Sequence, residues 1–315
     1  MPAARWDDVA MYGLRVRSAV PLPEWPAASS GEPEVVILRG PPSPPTFEGA
    51  TYNARATFSD GAVHLEVRGV AKYSAEGGSS IHVAPEADAK TEDVRLYLSG
   101  AMFGVILHQR GILPMHASCV ALDGHGVAFA APSGSGKSTL VAALLGRGAT
   151  FVSDDICALT AVHEGEVRVW PGAPRMKLDE SGIAGLQGAR TGTLEPAGGN
   201  RGKYHVRVQE APVSTAPLPL SRVYLLEAGE GQPRLERLHG LQAISALVDE
   251  TYMLSYATAL GFSEQVFRSA AQLSRALTVS RLIRPRGFEH FDAVLDLIDR
   301  DVGSTDCRSI ARSGV

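Results

Sequence analysis

The sequence predicts a mixed α/β (α+β) chain with a β-rich region over residues 1–90, a second domain over 91–301 and a disordered tail over 302–315. Three observations predict it. Short alternating apolar runs, punctuated by Pro, Gly and Ser, fill the first ninety residues. One strand–glycine loop–helix unit occupies residues 126–145. Apolar residues at helical spacing dominate from about 239 to 300.

Taken in order, Glu34-Val-Val-Ile-Leu38 and Val63-His-Leu-Glu-Val67 read as strands, the second by clean alternation. Gly40-Pro-Pro-Ser-Pro-Pro45 is a stiff connection. Glu92 to Arg110 reads as a helix stopped at Gly111, and Met115 to Leu122 as a strand before a turn at Asp123–Gly126. Val127–Ala130 is a strand, Thr139–Leu145 a helix broken by Gly148, and Thr150–Ser153 a strand ending in Asp154-Asp155. Residues 157–182 read as strands and turns with a corner at Trp170–Pro174. Residues 185–202, rich in Gly and poor in apolar side chains, read as a mobile loop. Ser221–Leu226 is a further strand, and the stripe Leu241, Ile244, Leu247, Val248 reads as core.

The central unit contains Ala131-Pro132-Ser133-Gly134-Ser135-Gly136-Lys137-Ser138, a phosphate-binding loop with Ala in place of the usual first Gly. Gly134 and Gly136 let successive N–H groups turn inward toward a phosphate. The helix N-terminus adds partial positive charge. Ser133 to Thr139 would cradle a nucleoside triphosphate such as ATP, with Lys137 at its β- and γ-phosphates and Ser138 on Mg²⁺. Asp154 and Asp155 end a strand shortly afterwards. One could hold Mg²⁺ (Asp154) and the other accept a hydroxyl proton (Asp155), both could serve the metal, or both could be solvated turn residues.

His116, the loop 133–138 and Asp154-Asp155, spaced 21 positions before and 18 after Lys137, resemble HPr kinase/phosphorylase. Arg147-Gly148 matches the helix end before that family's paired Asp. The resemblance implies a nucleotide fold shared with phosphoenolpyruvate carboxykinase. It implies Asp155 as catalytic base, His116 and Lys137 as active-site residues and Ser138 as the Mg²⁺ contact. A strand histidine satisfied by a neighbour is the plainer reading of His116. The family's Glu-Ile/Val-Arg-Gly-Leu-Gly stretch and Lys-Pro-Gly-Arg-Asn loop are missing, which argues against HPr as substrate and against phosphorolysis.

Tyr12-Gly-Leu-Arg-Val-Arg-Ser-Ala-Val-Pro-Leu-Pro-Glu24, Leu107–Ala117, Pro171-Gly-Ala-Pro174 and Gly202-Lys-Tyr204 are similar to bacterial HPr-kinase-related serine kinases. Some of those phosphorylate a serine of a lasso-peptide precursor, which is the acceptor this resemblance suggests. Arg175, Lys177, Arg201 and Lys203 flank the Gly-rich stretch. Lys203 and Arg175 are the preferred pair for neutralising the transferring phosphoryl group, and an ordinary solvated cation is the alternative for each. Asp179 or Glu180 could replace the missing metal-binding Glu, and Tyr204 and His205 could simply pack.

A net charge of −4 on 315 residues gives no electrostatic case for nucleic acid or an anionic membrane. Cys119, Cys157 and Cys307 have no metal-type spacing and suit a reducing, cytoplasmic setting. MPAARWDDVA lacks an apolar signal core, and His108-Gln109-Arg110 interrupts the longest apolar stretch, so no membrane span is expected. HPr kinases form hexamers. Too little of their C-terminal pattern is present to carry that over, and a homo-oligomer stays an option.

The leading expectation is ATP-dependent, Mg²⁺-assisted transfer to a serine hydroxyl of a peptide or small protein. A small-molecule kinase or carboxykinase-like enzyme, and a nucleotide-gated binding protein with slow ATPase activity, are the alternatives. Phosphate on an acceptor separates the first two from the third.

Overall fold

A computed structural model describes residues 6–40, 54–59, 61–161, 165–180, 183, 194–196, 202–208, 211–287 and 289–303. The first sheet holds β1 (Asp7–Met11), β2 (Leu14–Ser18), β3 (Val35–Arg39), β4 (Ala54–Ser59), β5 (Ala62–Val67), β6 (Ala71–Glu76) and β7 (Ser80–Pro85), in the order β1-β2-β3-β7-β6-β5-β4. Its buried side chains, among them Val16, Ile37, Leu65, Tyr73 and Ile81, pack with α1 (Thr91–Tyr97), a π-helical turn (Leu98–Met102) and α2 (Phe103–Gln109). The expected helix over 92–110 is thus one rod with a π turn inside it.

The second sheet contains β8 (Leu113–Met115), β9 (Ala117–Leu122) and β10 (His125–Ala130), after which α3 (Lys137–Gly146) leads to β11 (Thr150–Ser153), β12 (Cys157–Ala161) and β13 (Val167–Trp170). The strand expected over 115–122 is divided at His116, because β8 pairs with β12 whereas β9 pairs with β10 and β11. A separate ribbon orders β14 (Arg175–Asp179), β15 (Leu194–Pro196) and β16 (Lys203–Arg207) as β14-β16-β15. The mobile-loop expectation over 185–202 otherwise falls outside the described residues, as does the Pro-rich connection at 41–45.

Then follow β17 (Leu218–Ala228), β18 (Arg234–Arg237), α4 (Leu241–Asp249), α5 (Leu254–Ala259), α6 (Ser263–Ala276), β19 (Thr278–Arg284) and α7 (Phe291–Gly303). The helical reading of 239–300 needs correction at β19. This strand runs parallel to β17 over seven residue pairs, and β17 runs parallel to β10. Thr278-Val-Ser-Arg-Leu-Ile-Arg284 is a short apolar run whose period does not separate strand from helix, and sheet pairing decides it. Leu241 is also corrected, since it is 76% exposed while Leu247 is fully buried. Val302 and Gly303 belong to α7, and residues 304–315 of the expected tail lie outside the described residues.

One face of this sheet packs against α4–α6 and the other against α3 and α7. Arg222, 5% exposed, anchors α7 by donating to Asp301 at 2.8 Å, and Tyr224 donates to the same carboxylate at 2.6 Å. Among the described residues no helix is long and apolar enough to cross a membrane.

Candidate active site

Strand direction places the site. β11 is antiparallel to β9, which is antiparallel to β10, so β11 and β10 point the same way. The loop after β10, the acidic pair after β11 and Arg284 at the end of β19 therefore meet at one edge of the sheet. Gly134 and Gly136 both have φ of 84°, the left-handed region that favours glycine, and Gly136 caps α3. Lys137 curls back to donate to the carbonyls of Ala131 at 2.6 Å and Pro132 at 3.5 Å.

His116 lies where the chain leaves one strand pairing for another, its backbone N–H held by the Glu250 carbonyl at 2.7 Å. Its Nε2 is 3.3 Å from the Lys137 ammonium and 3.5 Å from Asp155 Oδ1. Asp155 adopts φ 72°, a strained conformation for a non-glycine residue. Its carboxylate is 41% exposed, and Lys177 Nζ donates to it at 3.1 Å. Burial pushes the Asp155 carboxyl up, but the hydrogen bond from His116 and the charge of Lys177 outweigh it and hold the group well below the usual carboxylate range.

Asp154 has the opposite environment. Burial, aided by the Asp155 charge, raises its pKa against the donors that stabilise its anion. Those donors are the Ser118 hydroxyl, the Ser138 hydroxyl at 2.9 Å and the Lys177 backbone N–H at 2.7 Å.

A cleft over the loop is lined by Ser133, Gly134, Gly136, Lys137, Ser138 and Thr139 together with His116, Asp154, Asp155 and Lys177. Ser135 sits at its rim, where Arg284 donates to its carbonyl at 2.8 Å. A second cavity, similar in volume at about 60 Å³, adjoins the acidic pair among Tyr12, Trp25, Ser99, Arg175, Lys177 and His205. Asp154, Asp155 and Lys177 line both.

The preferred basic pair separates. Arg175 faces Glu24 at 3.7 Å in the second cavity, and it is Lys177 that reaches Asp155. Lys203 stands opposite Asp179 on β16, at the far end of the ribbon from Arg175, and the Arg201 candidate lies outside the described residues. Glu180 accepts from the Tyr204 hydroxyl at 3.3 Å, and Asp179 lines the loop cleft. His205 lines the second cavity. Burial, with the charges of Arg175 and Lys177, lowers its pKa to about 4.

Sequence reasoning missed Tyr12, Trp25, Ser118 and Arg284. Tyr12 and Gly13, with φ of 49° and 82°, form the tight turn of the β1–β2 hairpin. That turn is wedged against Trp170, whose ring would lie 2.2 Å from a Cβ at Gly13. The signal that could have found it is a Tyr-Gly pair between two alternating runs.

No family model and no curated protein matches the sequence. Among solved structures, the chain is similar to the HPr(Ser) kinase/phosphatase from Coxiella burnetii, with 14% identity and a TM-score of 0.34 over 64% of this chain and 96% of that one. The chemistry below rests on the site's own geometry.

Proposed function

We propose that the chain is an ATP-dependent kinase acting on a serine hydroxyl of a peptide or small protein. One observation carries this reading: Asp155 stands in the wall shared by the phosphate-loop cleft and the second cavity. In-line phosphoryl transfer needs the attacking hydroxyl and the leaving oxygen on opposite sides of the phosphorus, with a group beside the hydroxyl that can take its proton. ATP phosphates would rest on residues 133–139. The acceptor hydroxyl would enter from the second cavity and give its proton to Asp155. Its oxygen would then bond to the γ-phosphorus as the bond to the ADP oxygen breaks, with that electron pair leaving on ADP. Lys137 and Lys177 offset charge on the phosphoryl oxygens, and His116 orients Asp155 and Lys137.

Ser138 and Asp154 supply neighbouring hard oxygen donors, which fit Mg²⁺ held jointly with substrate phosphates. Bound there, the ion would neutralise phosphate charge. A lasso-peptide precursor remains the acceptor suggested by the resemblance of the N-terminal and loop-flanking segments. The polar lining of the second cavity, with Ser99, Arg175 and His205, also favours a second reading, a kinase for a small hydroxylated metabolite.

Intact-mass analysis of serine peptides incubated with the protein, Mg²⁺ and ATP tests the proposal. A gain of about 80 Da per peptide, lost with Asp155→Asn and Lys137→Ala, is expected. Transfer only to metabolites favours the second reading, and ATP hydrolysis without any transfer overturns both.

A further inference from the structure

The second cavity collects polar atoms that lack a partner. Trp25 Nε1, Ser99 Oγ and His205 Nδ1 are buried without a hydrogen bond among the described residues, and all three residues line it. Trp25 and Ser99 are each 6% exposed. Beside them, both Glu24 oxygens and Arg95 Nε are similarly unbonded. Glu24 meets Arg95 at 3.8 Å and Arg175 at 3.7 Å, contacts too long for hydrogen bonds. Buried polar groups are otherwise nearly always paired, so a cluster of this kind marks the place of a polar ligand.

The chemistry of that ligand follows from the inventory. Trp25 Nε1 and the Arg175 guanidinium can only donate, and the Ser99 hydroxyl and His205 ring can donate. Of the two carboxylates that line the cavity, Asp155 already has Lys177 and His116 as partners, and Asp154 accepts from Ser118, Ser138 and the Lys177 backbone N–H. What is missing is an acceptor-rich anion.

We propose that the cavity binds a carboxylate next to the acceptor hydroxyl, held by Trp25, Ser99 and Arg175. The inference rests on the kinase reading for the word acceptor, but the binding itself does not. The carboxylate is either the C-terminus of a chain ending in serine or the side chain of an acidic residue beside the serine.

Indole N–H resonances of the ¹⁵N-labelled full chain provide a test without turnover. The chain has three tryptophans, Trp6, Trp25 and Trp170, and Trp25→Phe assigns the relevant signal. The probes are N-acetylserine against N-acetylserinamide, and acetyl-Ser-Glu-amide against acetyl-Ser-Gln-amide, each titrated with and without Mg²⁺ and a non-hydrolysable ATP analogue. The Trp25 signal is expected to move saturably with at least one acid, about tenfold more tightly than with its amide twin, since charge-assisted bonds are roughly twice as strong as neutral ones. Whichever pair discriminates identifies the source of the carboxylate. Arg175→Gln is expected to erase the discrimination, and Ser99→Ala to weaken acid binding with both rings intact. Equal responses to acid and amide, or none to any probe, overturn the proposal and leave the cavity to ordered water. Absence of an effect from the ATP analogue, with acid discrimination intact, counts against the kinase reading alone.

Discussion

Lys177 binds both members of the acidic pair, donating its backbone N–H to Asp154 at 2.7 Å and its ammonium to Asp155 at 3.1 Å. One ribbon residue therefore controls two carboxylates with opposite titration behaviour. Asp155 is kept ionised, and Asp154 is drawn toward its neutral form by burial.

Removing the ammonium should expose that control. In Lys177→Met the Asp155 carboxyl loses its main charge partner and its pKa rises. Because the native value is depressed, the native rate profile should show no Asp155 limb above about pH 4, the ordinary carboxylate value. The variant should acquire one that moves toward neutrality, with phosphotransfer at pH 7 down by about 10²-fold. Rates measured from pH 4.5 to 8 check this, and a variant profile that acquires no limb would count against Asp155 as the base.

Asp154→Asn replaces a carboxylate whose two oxygens accept from three donors with an amide that can satisfy only part of them. The Mg²⁺ concentration for half-maximal rate should rise at least about tenfold and kcat fall about 10²–10³-fold, in the range for removing one electrostatic stabiliser. A Mg²⁺ titration at saturating ATP reads both. Equal metal dependence in the variant would place the metal elsewhere.

Gly13→Ala should be far more damaging than Gly124→Ala, although the two glycines share positive φ of 82° and 78°. At Gly124 nothing lies within 4 Å of an added Cβ, whereas at Gly13 Trp170 is in the way. Backbone strain alone costs about 1 kcal/mol. Strain with a collision should cost about 3 kcal/mol or more. Urea unfolding of the two variants compares them directly.

His205 should make the fold acid-sensitive. Its pKa is lowered to about 4 in the folded chain, so the unfolded chain binds the extra proton first. Stability is unaffected above about pH 6.5, the unfolded value, and declines as pH falls from there through 4. The loss amounts to about 1–3 kcal/mol after allowance for partial exposure. His205→Gln should flatten this part of the stability profile, and identical slopes would show that the ring is protonated at little cost.

The turn at 133–138 was legible because its signal is local: six contiguous residues, with strand before and helix after, contain the whole strand-to-helix connection. Asp154 and Asp155 were legible as polar residues closing an apolar strand. Lys177 was not separable from Arg175. The two share one face of β14, and only the seat of the ribbon determines which meets Asp155 and which meets Glu24. Tyr12 and Trp25 could not be placed at all, since a hairpin tip reaches the site through tertiary docking. β19 was misread for the related reason that its identity depends on β17, far off in sequence.

The wedged Tyr12–Gly13 turn also bears on how the protein comes to exist. During synthesis the hairpin leaves the ribosome long before Trp170, Asp155 or His205 has been made. Its tip must wait, uncovered, for the partners that will enclose it. Contacts between such remote segments slow folding, and the second cavity can close only when the β14–β16 ribbon arrives. A nascent chain halted between the acidic pair and that ribbon would hold the 133–138 loop and Asp154-Asp155 but neither Lys177 nor Arg284, so the loop cleft and the second cavity should both reach their final form only with the later strands.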